Sequence, residues 1–190
     1  AGNKEIAFIV SLAGPGVPGD EIIIRQSADI SRLSGVDEKL IREGEESNKR
    51  LFEILKKEPD NLVASEKMLS EYKAILSVSE MTPEEKDKAV RQLQASMSPP
   101  ALTWMRYFIA TDPAIFWKKV RCPVLALNGE KDLQVDAEVN LPAIAKALRS
   151  ARNKNYKTMI LPELNHLFQH SKTGLPSEYS SIEETFAPEA

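Results

Sequence analysis

The chain has 190 residues, of which 42% are hydrophobic and 28% charged, with a formal net charge of -3. This is the composition of an ordinary globular protein, with room for one domain or a small core bearing an insertion. It offers no electrostatic footprint for nucleic acid or an anionic membrane, and no run approaches the roughly 20 apolar residues that a membrane span needs. The single cysteine excludes an internal disulfide framework and any multi-cysteine metal site.

Ala1-Gly2-Asn3-Lys4-Glu5 lacks the charged leader and apolar stretch of a signal peptide. The compartment stays open: cytoplasmic, or periplasmic if a targeting segment lies upstream. The first strand is expected over Ile6–Ala13, ending in the glycine and proline cluster Gly14-Pro15-Gly16-Val17-Pro18-Gly19. Its nearly continuous apolar character is that of a strand buried on both faces of a parallel sheet.

From about residue 20 to 118 the pattern is helical throughout. Ile22, Ile23, Ile24 and Ile30 begin one helix, and Asp37 can cap a second that carries Leu40, Ile41, Leu51, Phe52 and Leu55. A third follows Pro59, with Leu62, Val63, Met68, Leu69, Tyr72 and Ile75. Thr82-Pro83-Glu84-Glu85 opens a fourth, combining a capping box with proline at the first helical position. Leu102, Trp104, Met105, Tyr107, Phe108 and Ile109 make an aromatic-rich fifth segment, after which Phe116 and Trp117 lead back to the sheet.

The second strand is Val124–Asn128, closed by Gly129, and the third is Tyr156–Leu161, closed by Pro162. The third alternates more and belongs nearer an edge. A crossover helix over Leu141–Leu148 between them makes a βαβ unit. The expected architecture is therefore α/β: three parallel strands with crossover helices, and about a hundred helical residues inserted as a cap. Residues 1–19 and 119–190 form the core, and residues 20–118 the cap.

Several motifs carry candidate chemistry. Gly14-Pro15-Gly16-Val17-Pro18-Gly19 matches the spacing of a dinucleotide fingerprint, but Pro15 and Pro18 lack the backbone N–H that such a loop must offer a pyrophosphate. A rigid loop at the C-terminal edge of a strand, where ligands bind in such sheets, is the better reading, with Gly14 as a candidate substrate contact. Asp132 follows the second strand in Asn128-Gly129-Glu130-Lys131-Asp132, and His166 follows the third in Pro162-Glu163-Leu164-Asn165-His166. One crossover helix and one strand separate them, so the two loops should lie side by side at one rim of the sheet. A carboxylate beside an imidazole orients the ring through one nitrogen and leaves the other to take a proton from a nucleophile.

His166 and His170 are four apart and could share a helix face as zinc ligands, but no further Cys or His ligand stands nearby, so no metal is expected. His170 reads as a surface residue, Cys122 as core, and Ser11 as a strand residue rather than a nucleophile. The aromatic residues of the helical stretch read as core, with Trp104 and Phe108 as candidates to line an apolar substrate pocket.

Val120-Arg121-Cys122-Pro123-Val124-Leu125-Ala126-Leu127-Asn128-Gly129-Glu130-Lys131-Asp132 resembles the seventh strand and acid turn of the α/β-hydrolase family. Asn165-His166-Leu167-Phe168-Gln169 resembles its histidine loop, and Ala7–Gly16 is similar to the sixth strand and loop of bacterial esterase-like members with a helical cap. The order acid then histidine is that of the family. The resemblance implies a partial α/β-hydrolase fold and a serine hydrolase acting on carboxylic esters, or on thioesters or amides. Asp132 would then be the acid and His166 the base, no cofactor would be required, and the substrate would be a small ester.

The family's nucleophile motif, G-x-S-x-G, occurs nowhere in the 190 residues, and the resemblance places it upstream of Ala1. The chain alone is therefore expected to be inactive: a truncated polypeptide, a proteolytic fragment or the product of a split gene. The first strand would present an open edge, so a homo-oligomer through Ile6–Ala13 is expected. The alternative function is a non-catalytic helical interaction or binding protein.

Overall fold

In the computed structural model, which describes Asn3 and residues 5–190, one parallel sheet has the order β1-β2-β3, with β1 Ile9–Leu12, β2 Val124–Gly129 and β3 Tyr156–Leu161. The helices are α1 Gly19–Leu33, α2 Glu38–Lys57, α3 Asn61–Ser77, α4 Pro83–Ser96, α5 Pro99–Ala110, α6 Ala114–Trp117 and α7 Ala137–Ser150, with a 3-10 helix at Pro176–Ser181. The protein is thus mixed α/β. No helix among the described residues is long and apolar enough to cross a membrane.

The alternation of β2 explains why it is central. Val124 and Ala126 point to one face, where they join Val120, Ala137, Leu141, Ile144 and Leu148 in a cluster built on α7. Leu127, on the opposite face, packs with Leu161, Leu164, Phe168 and Ala187 from the C-terminal segment, with Leu125 and Met159 at its margin. A strand that must bury both faces can spare few polar residues, and β2 accordingly keeps one, Asn128, for the rim.

β1 departs from expectation in two ways. Its ladder covers Ile9–Leu12 rather than Ile6–Ala13, because Ala13 turns the chain at φ 48° immediately after donating to Leu127 O. It is also not buried on both faces. Ile9 packs against the α7 cluster, while Val10 and Leu12 are 47% and 46% exposed on the other side.

The helical stretch divides differently from the expected 20–118. Asp37–Thr111 forms one compact unit, whereas α1 and α6 belong with the sheet in Ala1–Val36 and Asp112–Ala190. The physical reason is local anchoring. The N–H groups of Gly16 and Val17, just before α1, donate to Asn140 Oδ1 on α7, and Arg25 on α1 pairs with Asp136 at the α7 N-terminus. Trp117 of α6 packs on the α7 cluster and donates its indole N–H to Pro15 O at 2.9 Å.

Within the helical unit, side-chain caps start the helices. Asp37 accepts from Lys39 N, Asp60 from Leu62 N and Val63 N, and Thr82 and Glu85 form both bonds of the capping box. Leu51, Phe52, Leu55, Ala64, Met68, Leu76, Leu102 and Ile109 are buried in this unit. Arg106 Nε donates to Leu55 O at 2.8 Å, tying α5 to α2.

Two glycines give opposite expectations. A Cβ on Gly129 would lie 2.1 Å from Leu164 O, so the β2 exit and the loop after β3 can approach only because no side chain intervenes. Gly129→Ala should cost about 1–3 kcal/mol of stability or more, as backbone cannot yield cheaply. Gly44, inside α2, has nothing within 4 Å of its would-be Cβ, so Gly44→Ala should stabilise by about 0.4–1 kcal/mol. Urea unfolding midpoints of the two variants check the contrast, and equal midpoints would contradict it.

Candidate functional site

The site is built where the β2–β3 ladder runs past the strand ends. Glu130 N donates to Leu161 O and Lys131 N to Leu164 O, each at 2.9 Å, while Glu163 N donates to Glu130 Oε2 at 3.0 Å. These bonds zip the turn after β2 to the loop after β3, so Asp132 and His166 are carried to the same place by backbone pairing.

His166 Nδ1 lies 3.1 Å from Asp132 Oδ1 and 3.0 Å from Oδ2. The Asp132 side chain is fully buried, whereas the His166 side chain is 27% exposed. A buried carboxylate must be compensated by donors, and Asp132 is. Its Oδ1 accepts from Gln134 N at 2.9 Å and Val135 N at 2.8 Å, and its Oδ2 accepts from Asn128 Nδ2 at 3.3 Å. Asn128 also donates to Val135 O at 2.7 Å, closing the turn on itself. The ring Nδ1–H donates to this carboxylate. That sets the tautomer, leaving the Nε2 lone pair free to accept a proton at a partly exposed position.

The histidine loop has its own brace. Asn165 is fully buried, its Oδ1 accepts from Leu167 N and Gln169 N, and its N–H donates to Gln169 O. Glu163 and Phe168 take positive φ values of 64° and 57°, which wind the segment into a tight turn rather than a helix. His166 and His170 therefore do not share a helix face. Among the described residues there is no cluster of three or more His, Cys, Asp or Glu that could hold a metal.

His170 instead bridges the C-terminal segment. Its Nδ1 is 3.0 Å from Glu184 Oε2 and its Nε2 2.9 Å from Glu189 Oε1, and its N–H donates to Glu184 Oε2 at 2.7 Å. Nearby, Ala187 N donates to Phe168 O, Gln169 Nε2 donates to Glu184 O, and Phe168 stacks on Phe186. The tail is thus fastened to the far end of the loop that carries His166.

The other expected residues fall in separate places. Gly14 follows β1, and a Cβ there would lie 2.1 Å from Ser11 Oγ, a side-chain atom that a change of rotamer moves away. The Gly16 and Val17 N–H groups of the same loop are occupied by Asn140, which leaves them unavailable for a pyrophosphate. Trp104 and Phe108 stack on one another at 5.2 Å within the helical unit, and Trp104 is 59% exposed rather than core. Cys122 is free and half-buried against the α7 cluster.

Sequence reasoning missed Asn128, Gln134, Asn165 and Tyr179. Asn128 had a signal, as the one polar residue in an apolar strand. Tyr179 had none, since nothing in a spacing of 47 residues from Asp132 foretells contact. Its hydroxyl accepts from Gln134 Nε2 at 3.0 Å, and burial, opposed by that bond and aided by the Asp132 charge, raises its pKa above the usual phenol value. It therefore stays protonated beside the acid. Comparison with protein-family models, with curated proteins and with solved structures finds no match for the chain.

The His170 clamp carries a pH dependence. The Glu184 hydrogen bond, and the charges of Glu184 and Glu189, raise the His170 pKa above 6.5, outweighing partial desolvation. The His170 N–H and ring in turn lower the Glu184 pKa below 4.5. A raised histidine stabilises fully below its unfolded pKa and ceases to do so as pH rises through the folded one; the lowered carboxylate does the reverse on the acid side. The tail should be held best between the two ordinary values. The Ala187 amide should accordingly show greater exchange protection at pH 6 than at pH 8.5, after correction for intrinsic rates, with the difference abolished in His170→Gln.

Proposed function

We propose that Asp132 and His166 are the acid and the base of a hydrolytic triad, and that the chain is the C-terminal part of a serine hydrolase of the α/β-hydrolase type acting on carboxylic esters or thioesters. The observation that carries this reading is the contact of a buried, fourfold hydrogen-bonded carboxylate with one nitrogen of a partly exposed imidazole, at the C-terminal rim of a parallel sheet.

Chemically the pair is half of a reaction. Asp132 holds Nδ1–H, so Nε2 can take the proton of a serine hydroxyl as that oxygen attacks the acyl carbon, and the imidazolium formed is stabilised by the adjacent carboxylate. His166 then returns the proton to the leaving alkoxide. The acyl-enzyme is cleared by water through the same two transfers. The nucleophile is proposed to come from polypeptide outside these 190 residues, together with the donors that stabilise the oxyanion. Without them the loss of rate is many orders of magnitude, so the 190-residue chain is proposed to be inactive by itself.

In a longer protein carrying a G-x-S-x-G serine, His166→Ala should lower kcat/KM for an aryl acetate by about 10³-fold or more, and Asp132→Asn by about 10³–10⁴-fold. An unchanged rate in His166→Ala ends the proposal. The 190-residue chain should release no more nitrophenol than its own His166→Ala variant.

A second reading, a helical binding protein, rests on a different observation. Asn61, Pro99, Pro100, Thr103, Trp104 and Tyr107 line an apolar surface hollow of the helical unit, with Tyr107 66% exposed. On that reading Trp104→Ser and Tyr107→Ser abolish the protein's function, and Asp132→Asn leaves it intact.

A further inference from the structure

One stripe of α2 changes character along the helix. Leu55 and Leu51 are buried, and the next positions on that face, at steps of three and four residues, are Asn48, Gly44 and Leu40. Core-sized side chains give way to a carboxamide and a hydrogen. There a cavity of about 730 Å³ opens between α2, the last turns of α3 and the linker to α4. Gly44 lies inside the helix, and a Cβ added to it would meet nothing within 4 Å, so neither a turn nor a close approach requires glycine. Glycine is a weak helix former, so this position loosens α2, and what it contributes in return is space.

That space has a defined chemistry. Leu40, Ile75, Val78 and Met81 give it apolar walls, with Leu40 56% and Val78 86% exposed. Tyr72 adds an aromatic ring, a group that attracts ammonium ions. The charged lining is one-sided: the carboxylates of Asp37, Glu43, Glu80 and Glu85 stand against a single cation, Lys39. Lys39 Nζ lies 3.9 Å from Glu43 Oε1 and 3.7 Å from Glu80 Oε1, beyond hydrogen-bond reach, so both carboxylates keep acceptor capacity for a closer donor. The volume falls within the range of small-molecule sites, roughly 300–1,000 Å³.

We propose that this cavity binds a small organic ammonium ion with an apolar body, the body against Leu40, Ile75 and Val78 and the charge among the rim carboxylates. Burial of the apolar body supplies affinity, and the excess of negative charge selects a cation over an acid or alcohol of the same length. Every lining residue belongs to the unit Asp37–Thr111. The proposal is independent of the proposed hydrolysis, since neither Asp132 nor His166 takes part.

The probe is n-octylamine, protonated at neutral pH, with octanol and octanoate as its neutral and anionic matches. Titration calorimetry of the 190-residue chain should give a single site, with a dissociation constant on the order of 100 μM for octylammonium and about tenfold weaker binding or less for the other two. The amide resonances of Leu40, Gly44 and Val78 should shift during the titration. Gly44→Leu fills the cavity with a better helix former, so it should raise the urea midpoint while weakening octylammonium about tenfold or more. Glu43→Gln combined with Glu80→Gln should bring octylammonium to within about threefold of octanol. Octanol or octanoate binding as tightly as octylammonium overturns the proposal. So does an affinity that Gly44→Leu leaves unchanged, or the absence of binding at millimolar amine.

Discussion

The register of β2 on β3 is the constraint from which the candidate site follows. Gly129 stands opposite Leu161 in the ladder, and the pairing continues beyond it through Glu130, Lys131 and Leu164. Because these are backbone bonds, the approach of the two loops does not depend on the side chains they carry. What the side chains decide is the use made of that approach. Asp132 and His166 occupy the two positions that meet, and Gly129 is the residue whose lack of a side chain permits the meeting.

Around this contact the molecule concentrates its buried polar groups. Asn128, Asp132 and Asn165 are all nearly inaccessible, and each ties a turn to itself or to its neighbour. An ionised carboxylate taken out of water is costly unless surrounded by donors. Here two backbone amides, one carboxamide and one imidazole share that task. The result is a stiff acid and a histidine ring of defined orientation, with only the outer nitrogen facing a more open side. This asymmetry, a dry carboxylate behind a wetter imidazole, distinguishes the pair from a surface ion pair such as His170 with Glu184 and Glu189, which is half exposed.

The sheet is solvated on one side of its first strand and closed on the other. β2 buries both faces, β3 is braced by α7, and β1, which among the described residues pairs on one side only, exposes Val10 and Leu12. Local pattern could not reveal this. A continuous apolar run reads as a doubly buried strand, yet Ile9 alone of its outward and inward residues packs against the α7 cluster, and the opposite face lacks a covering element at Val10 and Leu12. Periodicity reports what a strand could bury; the neighbours present determine what it does bury.

Much of the architecture was legible in the residues themselves. The βαβ unit, the edge position of β3, the caps at Asp37 and Thr82, and the positions of Asp132 and His166 at adjacent strand exits all rest on short-range rules of pattern and turn chemistry. The tertiary structure alone decided three things. It assigned α1 and α6 to the sheet-bearing unit, through Asn140, Asp136 and the packing of Trp117. It supplied the Asn128, Gln134 and Tyr179 surroundings of the acid. It also unwound the segment between His166 and His170 into a turn clasped by the tail. The physical reason is common to all three: these contacts join residues dozens of positions apart, and local sequence encodes the conformations a segment can adopt, not the distant partners that select among them.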